Sequence, residues 1–240
     1  NDYMIVTPSE GSNDGIILRP YQINASDSAF HIMTRTEENC LIWHSTGSGK
    51  TLTSYVLAKS LASDPKFKKV IMLLDRVDLA DQTMKEYKQF DPTMINKIHR
   101  GKSLQEQMAD PNQTFIMTTM QSFDKWIKRN PKTANKFIKE NLVFVIDECH
   151  RTTFGKMFKN IRSIFKKSQF VGFTGTPRFA ENADETGLLT RDIFGEAAHI
   201  YTIKNAIDDG NVLPFSMHNV NISVNTKIDT DEKTGEYFSN

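Results

Sequence analysis

The sequence predicts an α/β protein in which a mostly parallel β-sheet carries helices on both faces. Short apolar runs alternate along the chain with longer amphipathic stretches, which is typical of strands buried between two layers of helices. Asp-Pro and Asn-Pro pairs separate these segments and mark helix ends or turns. A glycine-rich turn joins the first predicted strand to the first predicted helix.

The composition is that of a folded domain rather than a disordered or membrane-embedded chain. Of the 240 residues, 38% are hydrophobic and 25% are charged. The longest aliphatic or aromatic runs have five residues, whereas a membrane span needs about 20, and the first residues lack a signal-peptide pattern. Two cysteines, Cys40 and Cys149, are too few for a disulfide framework or a zinc site, so a reducing cytoplasm is predicted.

The individual elements follow in order from these patterns. Short, predominantly apolar segments predict strands at residues 40–43, 70–74, 115–118, 142–146 and 170–174. Helical spacing of apolar residues predicts helices at residues 50–61, 77–90, 103–108, 124–128 and 156–165. Later alternations of apolar and polar residues predict strands at residues 200–203 and 220–224.

Positive charge is concentrated in the middle of the chain, although the formal net charge is only +1. Between residues 125 and 178 there are 13 Lys or Arg against three acidic residues. The predicted helix at residues 156–165 has its cations on one side and its apolar residues on the other. A solvated helix face and a phosphate-contacting surface both fit this pattern.

Residues 44–51, His-Ser-Thr-Gly-Ser-Gly-Lys-Thr, form a predicted phosphate-binding loop between a strand and a helix. Its glycines let the backbone curl closely, so that N–H groups can surround a triphosphate. Lys50 supplies a positive charge for the β- and γ-phosphates, and the Thr51 hydroxyl can ligate Mg²⁺. The first position of the usual pattern is Gly or Ala, and here it is His44. The predicted cofactor-binding residues of the loop are Thr46, Gly47, Ser48, Gly49, Lys50 and Thr51.

Two carboxylates follow the apolar run at residues 142–146. Asp147 suits the water shell of a nucleotide-bound metal, and Glu148 suits the base that orients an attacking water. A surface cap at a strand end is the simpler alternative. His150 is a candidate polar link to the rest of the site, whereas neighbouring Cys149 and His150 do not indicate a thiol hydrolase, because neighbours in sequence seldom point at each other.

Two further segments carry candidate site residues. The loop after the strand at residues 170–174 contains Thr174 and Thr176, whose hydroxyls can bond the carboxylate pair and shift when the γ-phosphate leaves; a simple turn is the alternative. Upstream, the amide of Gln22 can both donate to and accept from an adenine edge, and a chance surface glutamine fits equally well.

Four segments together resemble the motifs of superfamily-2 helicases and translocases, in that superfamily's order. They are residues 19–22 (Arg-Pro-Tyr-Gln), 45–51, 147–150 (Asp-Glu-Cys-His) and 174–177 (Thr-Gly-Thr-Pro). The form of residues 75–82 and of residues 201–214 is similar to that in the motor (R, restriction) subunit of type I restriction-modification enzymes. This resemblance runs from about residue 3 to residue 215.

The resemblance implies a RecA-like P-loop NTPase domain that uses ATP and Mg²⁺ to move double-stranded DNA. It implies that Lys50, Asp147 and Glu148 are catalytic, that Thr51 and Asp147 hold the metal and that Gln22 reads adenine. It also implies that His150, Thr174 and Thr176 couple hydrolysis to movement. The residues implied to line the DNA path are Asp75, Arg76, Gln82, Thr118, Thr119 and Gln121.

The resemblance also implies an organisation and a set of partners. Residues 1–35 are expected to be a lead-in with the adenine motif, residues 36–228 the first motor domain, and residues 229–240 an exposed tail toward a second motor domain. The family's partners are the methyltransferase (M) and specificity (S) subunits. Two alternatives remain open, namely another superfamily-2 helicase acting on RNA or in repair, and a non-catalytic scaffold that binds polyanions.

Overall fold

A six-stranded parallel sheet forms the centre of the molecule. The computed structural model describes residues 4–6, 15–91, 102–152, 155–179 and 189–214. The sheet consists of β3 (Cys40–His44), β4 (Lys69–Leu74), β5 (Phe115–Thr119), β6 (Leu142–Ile146), β7 (Gln169–Thr174) and β8 (Ala197–Tyr201). Its strand order is β5-β4-β6-β7-β3-β8, and every neighbouring pair is parallel. A separate antiparallel pair joins β1 (Met4–Val6) to β2 (Gly15–Ile17).

Helices cover both faces of this sheet. On one face lie α1 (Pro20–His31), α2 (Lys50–Ser63) and α3 (Val77–Phe90). On the other face lie α4 (Leu104–Ala109), α5 (Met120–Arg129), α6 (Pro131–Phe137), α7 (Cys149–Thr152), α8 (Lys156–Ile164) and α9 (Thr190–Phe194). The helix α10 (Ile203–Asp208) follows β8. Successive residues of β4 alternate between the two cores, as Met72 joins the first and Ile71 the second. This is why every residue of β4 after Lys69 is apolar.

The predicted α/β class and all five central strands are confirmed, with ends that differ by one residue at most. The predicted helix at residues 124–128 is too short, because Thr119 caps the helix and accepts a hydrogen bond from the Ser122 N–H, so that α5 begins at Met120. The strand predicted at residues 200–203 is wrong in its bounds, because Thr202 caps α10 and Ile203 belongs to that helix. The strand predicted at residues 220–224 lies outside the described residues.

Several helices have no counterpart in the sequence prediction. They are α1 with the π-helical turn Ile32–Thr36 that continues it, and also α6, α7, α9 and α10. The helix α1 lies within residues 1–35, the predicted lead-in, yet it packs along α2 and buries Ala25 and Ala29 in the first core. The predicted boundaries at residues 36–228 and 229–240 extend into residues that are not described, and they stay predictions.

The topology places the sequence motifs at one edge of the sheet. In a parallel sheet all strands end at the same edge, and the loops that follow them meet there. The phosphate loop follows β3, the carboxylate pair follows β6, and residues 174–177 follow β7, which lies between these two strands. The candidate DNA-path segments follow β4 and β5, which are neighbours farther along the same edge.

Candidate active site

The phosphate loop has the backbone shape that its glycines predict. Gly47 and Gly49 have positive φ angles of 80° and 74°, the left-handed region that glycine enters without strain. The Ser48 hydroxyl and the Lys50 ammonium donate to the Ser45 carbonyl oxygen, at 2.7 and 3.4 Å. These hydrogen bonds within the loop hold its shape. The loop leads directly into α2, whose first N–H groups have no carbonyl acceptor within the helix.

The helix α1 and the strand β8 hold the loop from outside. The Tyr21 hydroxyl donates to the Ser48 carbonyl oxygen at 2.7 Å, and the Tyr21 ring stacks on Tyr201 with 3.7 Å between ring centroids. The Ser45 N–H donates to the Tyr201 carbonyl oxygen at 2.9 Å. Tyr201 also donates its hydroxyl hydrogen to Asp209 and accepts from the Asn211 amide, both at 2.8 Å. Residues from both ends of the described chain thus support the loop.

The side-chain amide of Gln22 is bonded within the protein at both ends. Its Oε1 accepts from the Arg19 N–H at 3.0 Å, which caps the first turn of α1. Its Nε2 lies 3.3 and 3.4 Å from the carbonyl oxygens of Ser48 and Gly49. A Cβ at Gly49 would lie only 2.6 Å from this Nε2, so Gln22 and the loop are packed directly together. Adenine reading by Gln22 stays a prediction, whereas its support of the loop is an observed contact.

Five of the six predicted catalytic and coupling groups form one continuous cluster. The Lys50 ammonium lies 3.9 Å from Glu148 Oε1, and His150 Nδ1 lies 3.4 Å from Glu148 Oε2. His150 Nδ1 also lies 2.9 Å from the Thr174 hydroxyl oxygen, which accepts from the Thr176 N–H at 3.0 Å. The phosphate loop, the carboxylate pair and residues 174–177 are therefore linked through side chains.

Residues 174–177 also touch the phosphate loop directly. A Cβ at Gly175 would lie 3.1 Å from the His44 carbonyl oxygen and 3.4 Å from the Thr46 nitrogen. The Trp43 indole N–H donates to the Gly175 carbonyl oxygen at 3.2 Å. A change in the position of one loop is therefore transmitted to the other by contact.

The environment of Asp147 disfavours its charged form. Burial, followed by the nearby Glu148 carboxylate, raises the pKa of Asp147 to about 6. Its Oδ1 accepts the Glu148 N–H at 2.9 Å, and Glu148 itself has a positive φ of 46°. Two carboxylates held this close favour a bound cation, because a cation removes their repulsion.

A histidine pair beside the phosphate loop, in which His199 is half-buried, has no counterpart in the sequence prediction. His44 is fully buried, and its Nε2 lies 2.9 Å from His199 Nδ1 on β8. Among the described residues, His44 Nδ1 has no hydrogen-bond partner. Burial, followed by the proximity of His199 and Lys50, lowers the pKa of His44 to about 3. The unusual histidine at the first loop position was the available signal.

We expect His44 to make the fold sensitive to acid. Its pKa is near 6.5 in an unfolded chain and about 3 when folded, so its stabilising contribution is complete above pH 6.5 and falls as the pH drops below that value. Between pH 7 and pH 5, the wild type should lose about 1–2 kcal/mol of unfolding free energy relative to His44→Ala. Asp147 acts in the opposite direction, since its raised pKa favours the folded state at low pH, but it is present in both proteins and cancels.

Urea unfolding of the two proteins at both pH values measures this difference. The exposed His31 provides the matched control, and His31→Ala is expected to follow the wild type at both pH values. A wild-type and His44→Ala difference that does not change with pH would contradict the buried neutral state of His44.

Most of the candidate DNA-path residues lie at or next to the carboxyl ends of the paired strands β4 and β5. Leu74 pairs with Thr119 in the sheet, which brings Asp75 and Arg76 next to the start of α5. The Arg76 guanidinium is exposed and lies 3.5 Å from the Asp75 carboxylate. The remaining members of the set are Thr118 on β5, exposed Gln121 on α5 and exposed Gln82 on α3, whose amide donates to Glu86 at 3.0 Å. Their role in binding DNA stays a prediction.

The other candidate groups are accounted for by packing. Both cysteines are buried, and burial raises the pKa of Cys40 to about 12 and that of Cys149 well above its usual range. A buried cysteine with a raised pKa holds little reactive thiolate, which agrees with the prediction that Cys149 and His150 do not form a thiol hydrolase site. Within the described part of the chain, no three His, Cys, Asp or Glu side chains cluster as a metal site. No helix in that part is long and apolar enough to cross a bilayer.

Comparison with known sequences gives consistent matches. A sequence profile of the SWI2/SNF2 ATPase family matches residues 21–240. The chain is 43% identical over 229 residues to the type I restriction enzyme SsaAORF53P endonuclease subunit of Staphylococcus saprophyticus, covering 95% of this chain and 24% of that protein. It is 35% identical over 168 residues to the C-terminal part of the putative type I restriction enzyme MpnIIP endonuclease subunit from Mycoplasma pneumoniae, and this match covers 64% of this chain and 81% of that protein. The chain spans about a quarter of the length of the staphylococcal relative.

Comparison with solved structures concerns the fold. The chain is similar to the ATP-dependent Type ISP restriction-modification enzyme LlaBIII bound to DNA, with a TM-score of 0.59 and 18% identity. The match covers 87% of this chain and 17% of that chain.

Proposed function

Because the chain belongs to the SWI2/SNF2 ATPase family, and within it to the endonuclease subunits of type I restriction enzymes, we propose that it is the first motor domain of such a subunit. Its RecA-like fold and its membership of an ATPase family both support an ATPase motor. The proposed activity is the ATP-driven translocation of double-stranded DNA, which brings DNA to a nuclease domain of the same subunit. The contact of Lys50, Glu148, His150 and Thr174 in one cluster is the observation that carries this proposal.

The residues present fit ATP with Mg²⁺. The phosphate loop offers two left-handed glycines, the Lys50 ammonium and the free N–H groups at the start of α2, all of which suit a triphosphate. The buried Ser45 hydroxyl has no partner among the described residues, as expected for a loop built around a polar ligand. Thr51 and Asp147 would hold Mg²⁺, which would neutralise phosphate charge when bound.

The chain's own groups then divide the work of hydrolysis. Lys50 binds the β- and γ-phosphates through its charge. Glu148 orients the attacking water and accepts its proton, and its Oε2 lies 3.4 Å from His150 Nδ1, beside the coupling residues. Thr174 contacts His150, and Thr176 donates its N–H to the Thr174 hydroxyl oxygen. Through these two threonines the loop of residues 174–177 responds to the state of the site.

The carboxyl edge beyond β6 is the proposed contact for DNA. Asp75, Arg76, Gln82, Thr118, Thr119 and Gln121 are the proposed contact residues. The enzyme LlaBIII, which has a similar fold, is bound to DNA in its solved structure, and this supports the same class of ligand for the present chain. The proposed partners, which the family resemblance implies, are the methyltransferase and specificity subunits, and the proposed location is the cytoplasm.

Displacement of a third strand from duplex DNA tests the proposal. A labelled strand bound as a triplex is released when a motor moving along the duplex reaches it. We expect the complete subunit, assembled with its M and S partners, to release the strand with ATP and not with a non-hydrolysable ATP analogue. We also expect duplex DNA to stimulate its ATP turnover.

The alternatives give different results in the same assays. If the protein separated RNA duplexes but did not release the third strand, its activity would be that of an RNA helicase rather than a DNA translocase. Polyanion binding without any ATP turnover would replace it with a non-catalytic scaffold. The intact cluster around Lys50 favours an active ATPase over that scaffold.

A further inference from the structure

The helices α5 and α8 present a continuous basic surface on the outer side of the second core. They lie side by side, and the Asn160 amide of α8 donates to the buried Asp124 carboxylate of α5 at 2.8 Å. Phe123 and Trp126 of α5 and Phe158 of α8 are turned into the core. The opposite sides of the two helices carry exposed cations, here called the basic face: Lys125, Lys128, Arg129, Lys156, Lys159 and Arg162.

The basic face has very little compensating negative charge. Within the two helices the acidic side chain is Asp124, which is buried and pairs with Lys128 at 2.5 Å. Among the described residues, the other five cations of the face form no ion pair within 4.0 Å. The exposed cations repel one another, and this repulsion is unfavourable in free energy. A polyanion bound at the face would neutralise the repulsion.

The position of the basic face makes it continuous with the candidate DNA path. The helix α5 begins at Met120, directly after Thr119, at the edge where Arg76 is also exposed. Lys125 lies in its second turn and Arg129 at its far end. The helix α8 starts on the same side of the sheet, shortly after His150 of the catalytic cluster. The cations therefore extend away from that edge over about 15 Å, the length of a ten-residue helix.

We propose that the basic face is an auxiliary contact for the sugar–phosphate backbone of duplex DNA, outside the motor's own DNA path. This rests on the proposed function. Duplex DNA carries one negative charge per about 1.7 Å, so 15 Å of duplex offers about nine charges to the face. Cations that project from two rigid helices can bind phosphates without reading bases, which suits a motor that moves over any sequence. Holding the duplex at a second place limits its loss between steps.

The test compares two variants that lose the same charge. The basic-face variant carries Lys125→Gln, Arg129→Gln, Lys156→Gln and Lys159→Gln. The control variant carries Lys68→Gln, Lys85→Gln, Lys88→Gln and Lys204→Gln, at four exposed positions of other elements. Binding of a fluorescein-labelled 30-base-pair duplex to the complete subunit is measured by anisotropy over a series of KCl concentrations. Thermal unfolding and DNA-free ATP turnover, expected to be unchanged, confirm that each variant is folded.

We expect the basic-face variant to bind the duplex at least about tenfold more weakly and to have a smaller salt dependence. Each lost phosphate contact lowers the slope of log K against log salt by about 0.9, so four contacts lower it by about 3–4. The control variant should keep the wild-type slope.

Three results would overturn the inference. The first is a basic-face variant with the wild-type slope, which would show that these cations do not contact DNA phosphates. The second is an equal loss in the control variant, which would indicate an effect of net charge alone. The third is a wild type that binds no duplex DNA. In the first two cases DNA-stimulated ATP turnover of the wild type persists, so the proposed function stands, whereas in the third it fails as well.

Discussion

Replacing Glu148 with glutamine is expected to lower the ATP turnover number by about 10²- to 10⁴-fold while nucleotide binding persists. The amide has the size and shape of the carboxylate but cannot accept a proton from the attacking water. Glu148 lies 3.9 Å from Lys50 and 3.4 Å from His150 Nδ1, so it is placed between the phosphate loop and the coupling residues. Glutamine meets the same positive φ of 46°, so the backbone cost of this position is unchanged.

Turnover is measured on the complete subunit with saturating ATP and duplex DNA, and binding with a fluorescent ATP analogue. Glu140→Gln provides the matched control, because Glu140 is an exposed glutamate remote from the carboxyl edge, just before β6. Its turnover should equal that of the wild type. If Glu148→Gln hydrolysed ATP at a rate close to wild type, another group would have to be the base, and the assignment of Glu148 would be wrong.

Replacing Phe144 with alanine is expected to reduce the unfolding free energy by about 3–5 kcal/mol. Phe144 is fully buried in the central strand β6. Its ring stacks on Phe170 at 5.1 Å between centroids and lies edge-on to Phe123 at 5.5 Å. Alanine would leave a cavity in the second core, since neighbouring rings held by strands and helices cannot close the space completely.

Denaturant unfolding followed by circular dichroism measures this loss. The exposed Leu213 supplies the control, and Leu213→Ala is expected to change the unfolding free energy by less than about 0.5 kcal/mol. A loss for Phe144→Ala within that small range would show that the second core repacks around the gap. Because Asp147 directly follows β6, we also expect weaker nucleotide binding by this variant near its unfolding midpoint.

The strands and the site could be predicted from the sequence because their signals are local. Five predominantly apolar segments correspond to buried parallel strands, and a parallel sheet brings the residues after them to one edge. Knowing that residues 44–51, Asp147 and Thr174 follow such strands is therefore enough to expect them together. Their contacts through Glu148 and His150 agree with this expectation.

The elements that escaped prediction lack such local signals. The buried side of α1 consists of small or polar residues such as Ala25, Ser26 and Ala29, so its apolar periodicity is weak, although Pro20 marks a possible first turn. The pairing of His44 with His199 and the stacking of Tyr21 on Tyr201 join residues far apart in the chain. No spacing rule brings such pairs together, because only the strand order places β8 beside β3.

That strand order also bears on how the protein is made. Among the described strands, the neighbours of β3 are β7 and β8, and both are synthesised long after it. While the ribosome translates β4, β5 and β6, neither neighbouring strand of β3 has been synthesised. The Tyr201 carbonyl that accepts the Ser45 N–H is also still missing. A nascent chain that ends before β7 therefore carries the complete loop sequence without the sheet that shapes it.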